Sequence, residues 1–206
     1  MSARTITYYF TLLSPWAYLG HAEFGRIAAR HNLGIDYRPV GLGQIFPETG
    51  GLPLAKRHPA RQHYRMMELP RWRDKRKMPL TLQPKYFPCD IALADKLLIA
   101  ILAAGHDAEA FIPKVFAALW VEDRNPADAA VLANILHAAG LDANRLMAAA
   151  QDDASTQAYQ ANIRQALAAG VFGSPSYVWQ GEIFWGQDRL ELLDDALASG
   201  RAAYLG

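Results

Sequence analysis

The chain has 206 residues, 51% hydrophobic and 20% charged, with a formal net charge of +1 at pH 7. This is a globular composition, long enough to bury a core as one domain or as one domain carrying a large insertion. The charge balance provides no global pull toward nucleic acid, and no run approaches the ~20 apolar residues of a membrane span. Cys89 is the single cysteine, which excludes an intramolecular disulfide, a CxxC redox pair and a cysteine-rich zinc site. The six histidines form no HxxxH or HExxH pair, so no metal is expected. Any thiol chemistry must therefore use a thiol from outside. The start, Met1-Ser2-Ala3-Arg4, leads into strand-like sequence without the apolar stretch of a secretory leader, which points to a cytoplasmic protein.

Residues 4–10 alternate Ile6, Tyr8 and Phe10 with Thr5, Thr7 and Tyr9, a strand pattern. Ser14-Pro15 then opens a helix, serine as the cap and proline at the first turn, where its missing N–H costs nothing. Ala17, Gly20, Phe24, Ile27 and Ala28 recur at helical spacing, and residues 32–34 stop the helix. A second strand over 35–40 completes a βαβ unit with a parallel pair. Residues 41–53, with Gly41, Gly43, Pro47, Gly50, Gly51 and Pro53, read as a loop.

From about 56 to 169 the pattern is helical. Ile91, Ala94, Leu98, Ile101 and Leu102 form one apolar face, and Ile112, Val115, Phe116, Leu119 and Trp120 another. Pro113 requires that second helix to kink or to start late. A third helix, with Val131, Leu132, Ile135 and Leu136, is expected to open at Asn125-Pro126 and close at Gly140. A fourth, with Tyr159, Ile163, Ala166 and Leu167, closes at Gly170. Residues 176–179 and 182–185 form a hairpin across Gln180-Gly181, and a last helix starts near Asp188. The order predicts an α/β protein. Residues 1–45 and 171–206 make a thioredoxin-like fold (βαβ…ββα), interrupted by a large inserted α-helical domain over 46–170.

Three motifs bracket the chain. Phe10-Thr11-Leu12-Leu13-Ser14-Pro15-Trp16-Ala17-Tyr18-Leu19-Gly20 resembles the first strand-to-helix junction of the kappa-class glutathione transferases and the 2-hydroxychromene-2-carboxylate isomerases. Gly170-Val171-Phe172-Gly173-Ser174-Pro175 is similar to their loop before the third strand, where the proline is cis. Trp185-Gly186-Gln187-Asp188-Arg189-Leu190 resembles their glutathione-clamping turn. All three belong to the wider DsbA-like group.

The resemblance implies glutathione as cofactor, with Ser14 as the catalytic residue and Ser14, Pro15, Trp16, Arg61, Ser174, Pro175, Asp188 and Arg189 as its binding residues. A helix N-terminus offers unpaired N–H groups and a positive dipole end, suited to a thiolate. A cis Ser174–Pro175 bond would present the Ser174 backbone to an extended peptide. An aspartate holds an ammonium, and an arginine can grip a carboxylate bidentately. Each residue also has a plain reading: Ser14 and Asp188 as helix caps, Arg189 as a solvated first-turn residue.

Residues 56–77 carry nine Lys or Arg against two acids, with Arg57, Arg61 and Arg65 on one helix face. This is either a solvated face or one that points an arginine or two inward to bind carboxylates. Arg61 matches a lysine that contacts glutathione in many relatives. The chain departs from them at Gly50-Gly51-Leu52-Pro53, where an Asn-x-Pro-Pro stretch would supply a further contact. Cys89, before a helix, reads as a reactive thiol or, more simply, a small filler.

The expected activity is a glutathione-dependent cis/trans isomerisation of an aromatic conjugated 2-oxo acid by a cytoplasmic homodimer. Tyr18 is a further candidate for a proton or carbonyl contact, and Trp16, Phe46 and Trp185 for aromatic walls. The alternatives are a kappa-like glutathione transferase and a non-catalytic thiol- or peptide-binding module. Thiol–disulfide exchange is set aside, because Ser14 and Ala17 stand where its two cysteines belong.

Overall fold

The computed structural model describes residues 4–205; the Met1-Ser2-Ala3 start, read above for a leader, lies outside them. The chain divides into two compact units, one holding residues up to Gly51 and from Asn162 onward, the other Leu52–Ala161.

The first unit is built on a four-stranded sheet in the order β2-β1-β3-β4, with β1 Thr5–Phe10, β2 Gly34–Pro39, β3 Ser176–Trp179 and β4 Glu182–Trp185. β1 pairs in parallel with β2 and antiparallel with β3, the arrangement that a βαβ half and a ββα half require. Helix α1 (Pro15–Arg30) makes the crossover and is stopped by His31 and by Asn32 in the left-handed region. The alternation of β1 sends Ile6, Tyr8 and Phe10 into the core, all with no exposure. Tyr8 stacks on Phe10 at 4.1 Å and on Tyr177 of β3 at 5.1 Å, and Phe24 of α1 packs at 4.5 Å from Tyr177. The hairpin turn sits at Gln180 and Gly181, both at positive φ, as a two-residue β-turn of this kind demands. After it, a single 3-10 turn, Gln187–Arg189, leads into α9 (Leu190–Ser199), whose Leu190, Leu193 and Leu197 are buried.

One expectation for this unit fails. Residues 41–53 are not all loop: Leu42–Thr49 is helix α2, with Pro47 inside it. Ile45, fully buried, ties the helix to the core, so packing overrides the breaker residues. Gly50 at φ 74° ends it, the usual left-handed cap. A Cβ on Gly51 would lie 2.3 Å from the Phe46 ring, so a side chain there would require that ring to move.

The second unit is helical: α3 (Pro59–Arg76), α4 (Ala92–Ala103), α5 (Ile112–Trp120), α6 (Ala129–Ala138), α7 (Ala143–Gln151) and the first part of α8 (Asp153–Ala168). Pro113 occupies the first turn of α5, so that helix starts late and does not kink. α6 opens at Asp128, whose side chain accepts from the Ala130 N–H, and not at Asn125-Pro126. α7, absent from the sequence reading, is capped by Asp142 and packs against α4 and α6. Asp95, fully buried in α4, accepts a 3.0 Å hydrogen bond from the Tyr159 hydroxyl.

Candidate active site

The three motifs meet at the C-terminal end of β1, where the chain turns into α1. Ser14 caps α1: its backbone is extended and its Oγ accepts from the Ala17 N–H at 3.2 Å. The same hydroxyl donates to the Ser174 carbonyl at 3.4 Å, joining the first motif to the second across 160 residues. The Thr11 N–H donates to the Ser174 Oγ at 3.1 Å and fixes that loop from the other side. The Ser174–Pro175 bond is cis. The Gly186 N–H then donates to the Pro175 carbonyl at 2.8 Å, which joins the second motif to the third. Gly20 closes the ring of contacts: a Cβ there would meet Gln187 Cβ at 2.6 Å, so only glycine lets α1 approach the Gln187 turn this closely.

Most of the amides at the head of α1 are already taken. Pro15 has no N–H, the Ala17 N–H is taken by Ser14 Oγ, and the Tyr18 N–H by the Ser14 carbonyl. The Trp16 N–H has no acceptor among the described residues, and neither has the Ser174 N–H. An unpaired amide at a helix N-terminus favours an anion. Ser14 itself is only 6% exposed, so charge placed beside it is partly removed from water and interacts strongly.

Asp188 and Arg189 stand on the turn after Gly186, paired with one another through one guanidinium nitrogen. Arg189 keeps its Nη2 and Nε donors, and Asp188 keeps Oδ1, so the pair can still meet a group carrying both an ammonium and a carboxylate. Gly186 has φ 96° and ψ 148°, a region open in practice to glycine alone, and a Cβ there would lie 2.4 Å from Asp188 Oδ1. Glycine at 186 therefore leaves room for the aspartate in this position.

Trp185 is 48% exposed and meets Phe172, 40% exposed, edge-on at 4.8 Å. The indole lies over Gly173, where a Cβ would come within 2.3 Å of its Nε1. Phe172 escaped the sequence reading, although it stands in a quoted motif. Thr11 escaped it too, since a positioning role gives no composition signal. Burial pushes the Tyr18 phenol up, so it stays protonated at neutral pH and can donate.

Seven of the eight candidate residues thus belong to the sheet unit, where these bonds tie Ser14 to Ser174 and Pro175 to the Gly186 turn that carries Asp188 and Arg189. Arg61 belongs to the helical unit, on the exposed face of α3, and forms no ion pair among the described residues. The chain's own thiol is unsuited to the chemistry: Cys89 is pushed up to about 11, first by burial and then by the Asp90 carboxylate. Cys89→Ser is expected to leave turnover unchanged, and the thiol to resist alkylation near neutral pH. Fast labelling would contradict this.

The fold and this junction define the class: the chain belongs to the DsbA-like thioredoxin domain family, which it matches over residues 5–198. It is 33% identical to a 2-hydroxychromene-2-carboxylate isomerase of Sphingobium xenophagum, over 94% of this chain and 98% of that one. The glutathione S-transferase kappa 1 of Rattus norvegicus is 26% identical, over 92% of this chain and 89% of its own. A solved 2-hydroxychromene-2-carboxylate isomerase superposes with a TM-score of 0.83 at 25% identity, covering 95% of each chain. Within the DsbA-like proteins the chain is a member of the 2-hydroxychromene-2-carboxylate isomerase family, an enzyme of isomerase type. The resemblance drawn from the three motifs holds.

Proposed function

We propose that the enzyme is a glutathione-dependent cis/trans isomerase of an aromatic conjugated 2-oxo acid, of the 2-hydroxychromene-2-carboxylate type. The observation that carries this reading is the pair of unused amides, Trp16 N–H in the helix turn that Ser14 caps and Ser174 N–H in the loop that the Ser14 hydroxyl bonds. They fit a peptide ligand bearing a sulfur anion. Bound glutathione supplies a thiolate that adds reversibly to the conjugated double bond, leaving it single and free to rotate before the thiol is released.

The rest falls to the chain. The weak 3.4 Å bond from Ser14 to Ser174 is readily exchanged, so the hydroxyl can turn to donate to the sulfur while still accepting from Ala17. The Trp16 N–H and the helix dipole add to the lowering of the thiol pKa. Pro15 shapes the turn, and the cis Ser174–Pro175 loop presents the Ser174 N–H and carbonyl to the ligand's backbone. Asp188 accepts from the γ-glutamyl ammonium and Arg189 grips its carboxylate. Arg61 is retained as a carboxylate contact on its charge alone. Tyr18 can donate to a substrate carbonyl, and Trp16, Phe46 and Trp185 offer aromatic faces. The likeness to a kappa transferase supports glutathione as the thiol. The cytoplasmic homodimer rests on the resemblance; among the described residues no helix is long and apolar enough to cross a membrane.

The same likeness favours a second reading, irreversible conjugation of glutathione to an electrophile. Incubation with conjugated oxo acids, with and without glutathione, separates the two. Isomerised product with all glutathione recovered is expected; a stable thioether would support transfer, and equal turnover without glutathione would overturn the thiol reading.

A further inference from the structure

Helix α3 carries a cation that the fold does not neutralise. Of its acids, Glu68 receives Arg71 at 2.6 Å and Trp72 at 3.2 Å, and Asp74 receives Arg73 at 2.9 Å. Arg65 has no carboxylate partner among the described residues. Its Nη1 meets only the Met66 sulfur at 3.8 Å, and its Nη2 is shut off from solvent with no hydrogen bond. The guanidinium carbon lies 5.2 Å from the centre of the Phe87 ring, so the half-buried cation is set against an aromatic face. Burial, and then the charge of Arg57, push Arg65 down to about 10, the direction expected of a cation without an anion.

A second orphan borders the same ring. Trp120 is fully buried, packs 5.0 Å from Phe87, and its Nε1 has no acceptor. Two enclosed N–H donors around one aromatic ring, with no acceptor for either, are costly to a fold, and the half-buried Arg65 is the one of the two that a ligand oxygen could approach.

We propose that Arg65 is a carboxylate-binding residue of the helical unit, receiving the carboxylate of a small organic acid against Phe87. A planar guanidinium matches two carboxylate oxygens, which a lysine could not do. The carboxylate comes either from the aromatic acid or from glutathione. The site is one of charge recognition and stands whichever chemistry Ser14 performs.

Calorimetric titration of the whole chain with cinnamate, glutathione and the uncharged cinnamyl alcohol tests it. Arg65→Met keeps the stem and removes the fork, and is expected to weaken one of the two acids by about ten- to a hundredfold. Loss of cinnamate identifies the aromatic acid as the source, and loss of glutathione identifies the tripeptide. Arg65→Lys is expected to recover part of the affinity, and the alcohol to bind wild type and variant alike. Because the cation is uncompensated without ligand, Arg65→Met is also expected to raise the melting temperature, by roughly 2–4 °C or more. Unchanged affinity for both acids overturns the proposal, as does an equal loss for the alcohol or a lowered melting temperature. These readouts need no turnover, so failure of the isomerase reading would be seen separately.

Discussion

Ser14→Ala is expected to lower turnover by about ten- to a hundredfold, because it removes the hydroxyl donor at the proposed sulfur site. A hydrogen bond to a charged group is lost, so the pKa of bound glutathione should rise by about one unit. The sign fixes the pH dependence. A raised thiol pKa leaves less thiolate at neutral pH, so the defect is largest there and shrinks once the pH exceeds the new pKa. Thiolate absorbance of the bound tripeptide, titrated in both forms, measures the shift directly. Ser14 is also a helix cap, accepting from Ala17 at 3.2 Å, and its loss costs about 1 kcal/mol of stability whatever the function. Ser14→Thr keeps the hydroxyl and is expected to restore both stability and thiol pKa, while melting and titration of Ser14→Ala separate the roles. A variant that melts earlier yet titrates like wild type would leave Ser14 only its structural part.

Asp188→Ala should act on binding and not on the chemical step. We expect KM for glutathione to rise by about ten- to a hundredfold, with kcat at saturating glutathione nearly unchanged, the mark of lost uniform binding. Gly186→Ala should produce the same KM effect without replacing a charged group. Its φ of 96° is hostile to any side chain, and the new Cβ would fall 2.4 Å from Asp188 Oδ1. It should also cost about 1–3 kcal/mol of stability. A kcat collapse with unaltered KM in Asp188→Ala would remove this residue from the cofactor end of the site.

The parts of the fold that could be read from sequence are those where one signal dominates. Alternation in Thr5–Phe10, the Ser-Pro helix start and the Gln180-Gly181 turn each specify local geometry on their own. Helix α2 was hidden because Gly43 and Pro47 argue locally for a loop, whereas burial of Ile45 is a tertiary fact. Helix α7 buries Ala143, Leu146 and Ala150, a face too rich in alanine to show clear apolar periodicity, although Asp142 was a visible cap. Residue types at the candidate site were visible in the motifs. Their bonding was not: nothing local to Trp16 or Ser174 shows that their amides lack acceptors, or that Ser14 reaches Ser174. Arg65 shows the same divide. The i, i+4, i+8 spacing predicts one helix face for Arg57, Arg61 and Arg65, but α3 starts at Pro59 and leaves Arg57 outside it. Only packing against Phe87 reveals the enclosed nitrogen of Arg65.

A crystal structure with glutathione bound would decide where the sulfur goes. The proposed function requires it within hydrogen-bonding reach of Ser14 Oγ and the Trp16 N–H, with the cysteinyl backbone alongside Ser174. Sulfur lodged elsewhere, or a saturated crystal without the tripeptide at the head of α1, would contradict it.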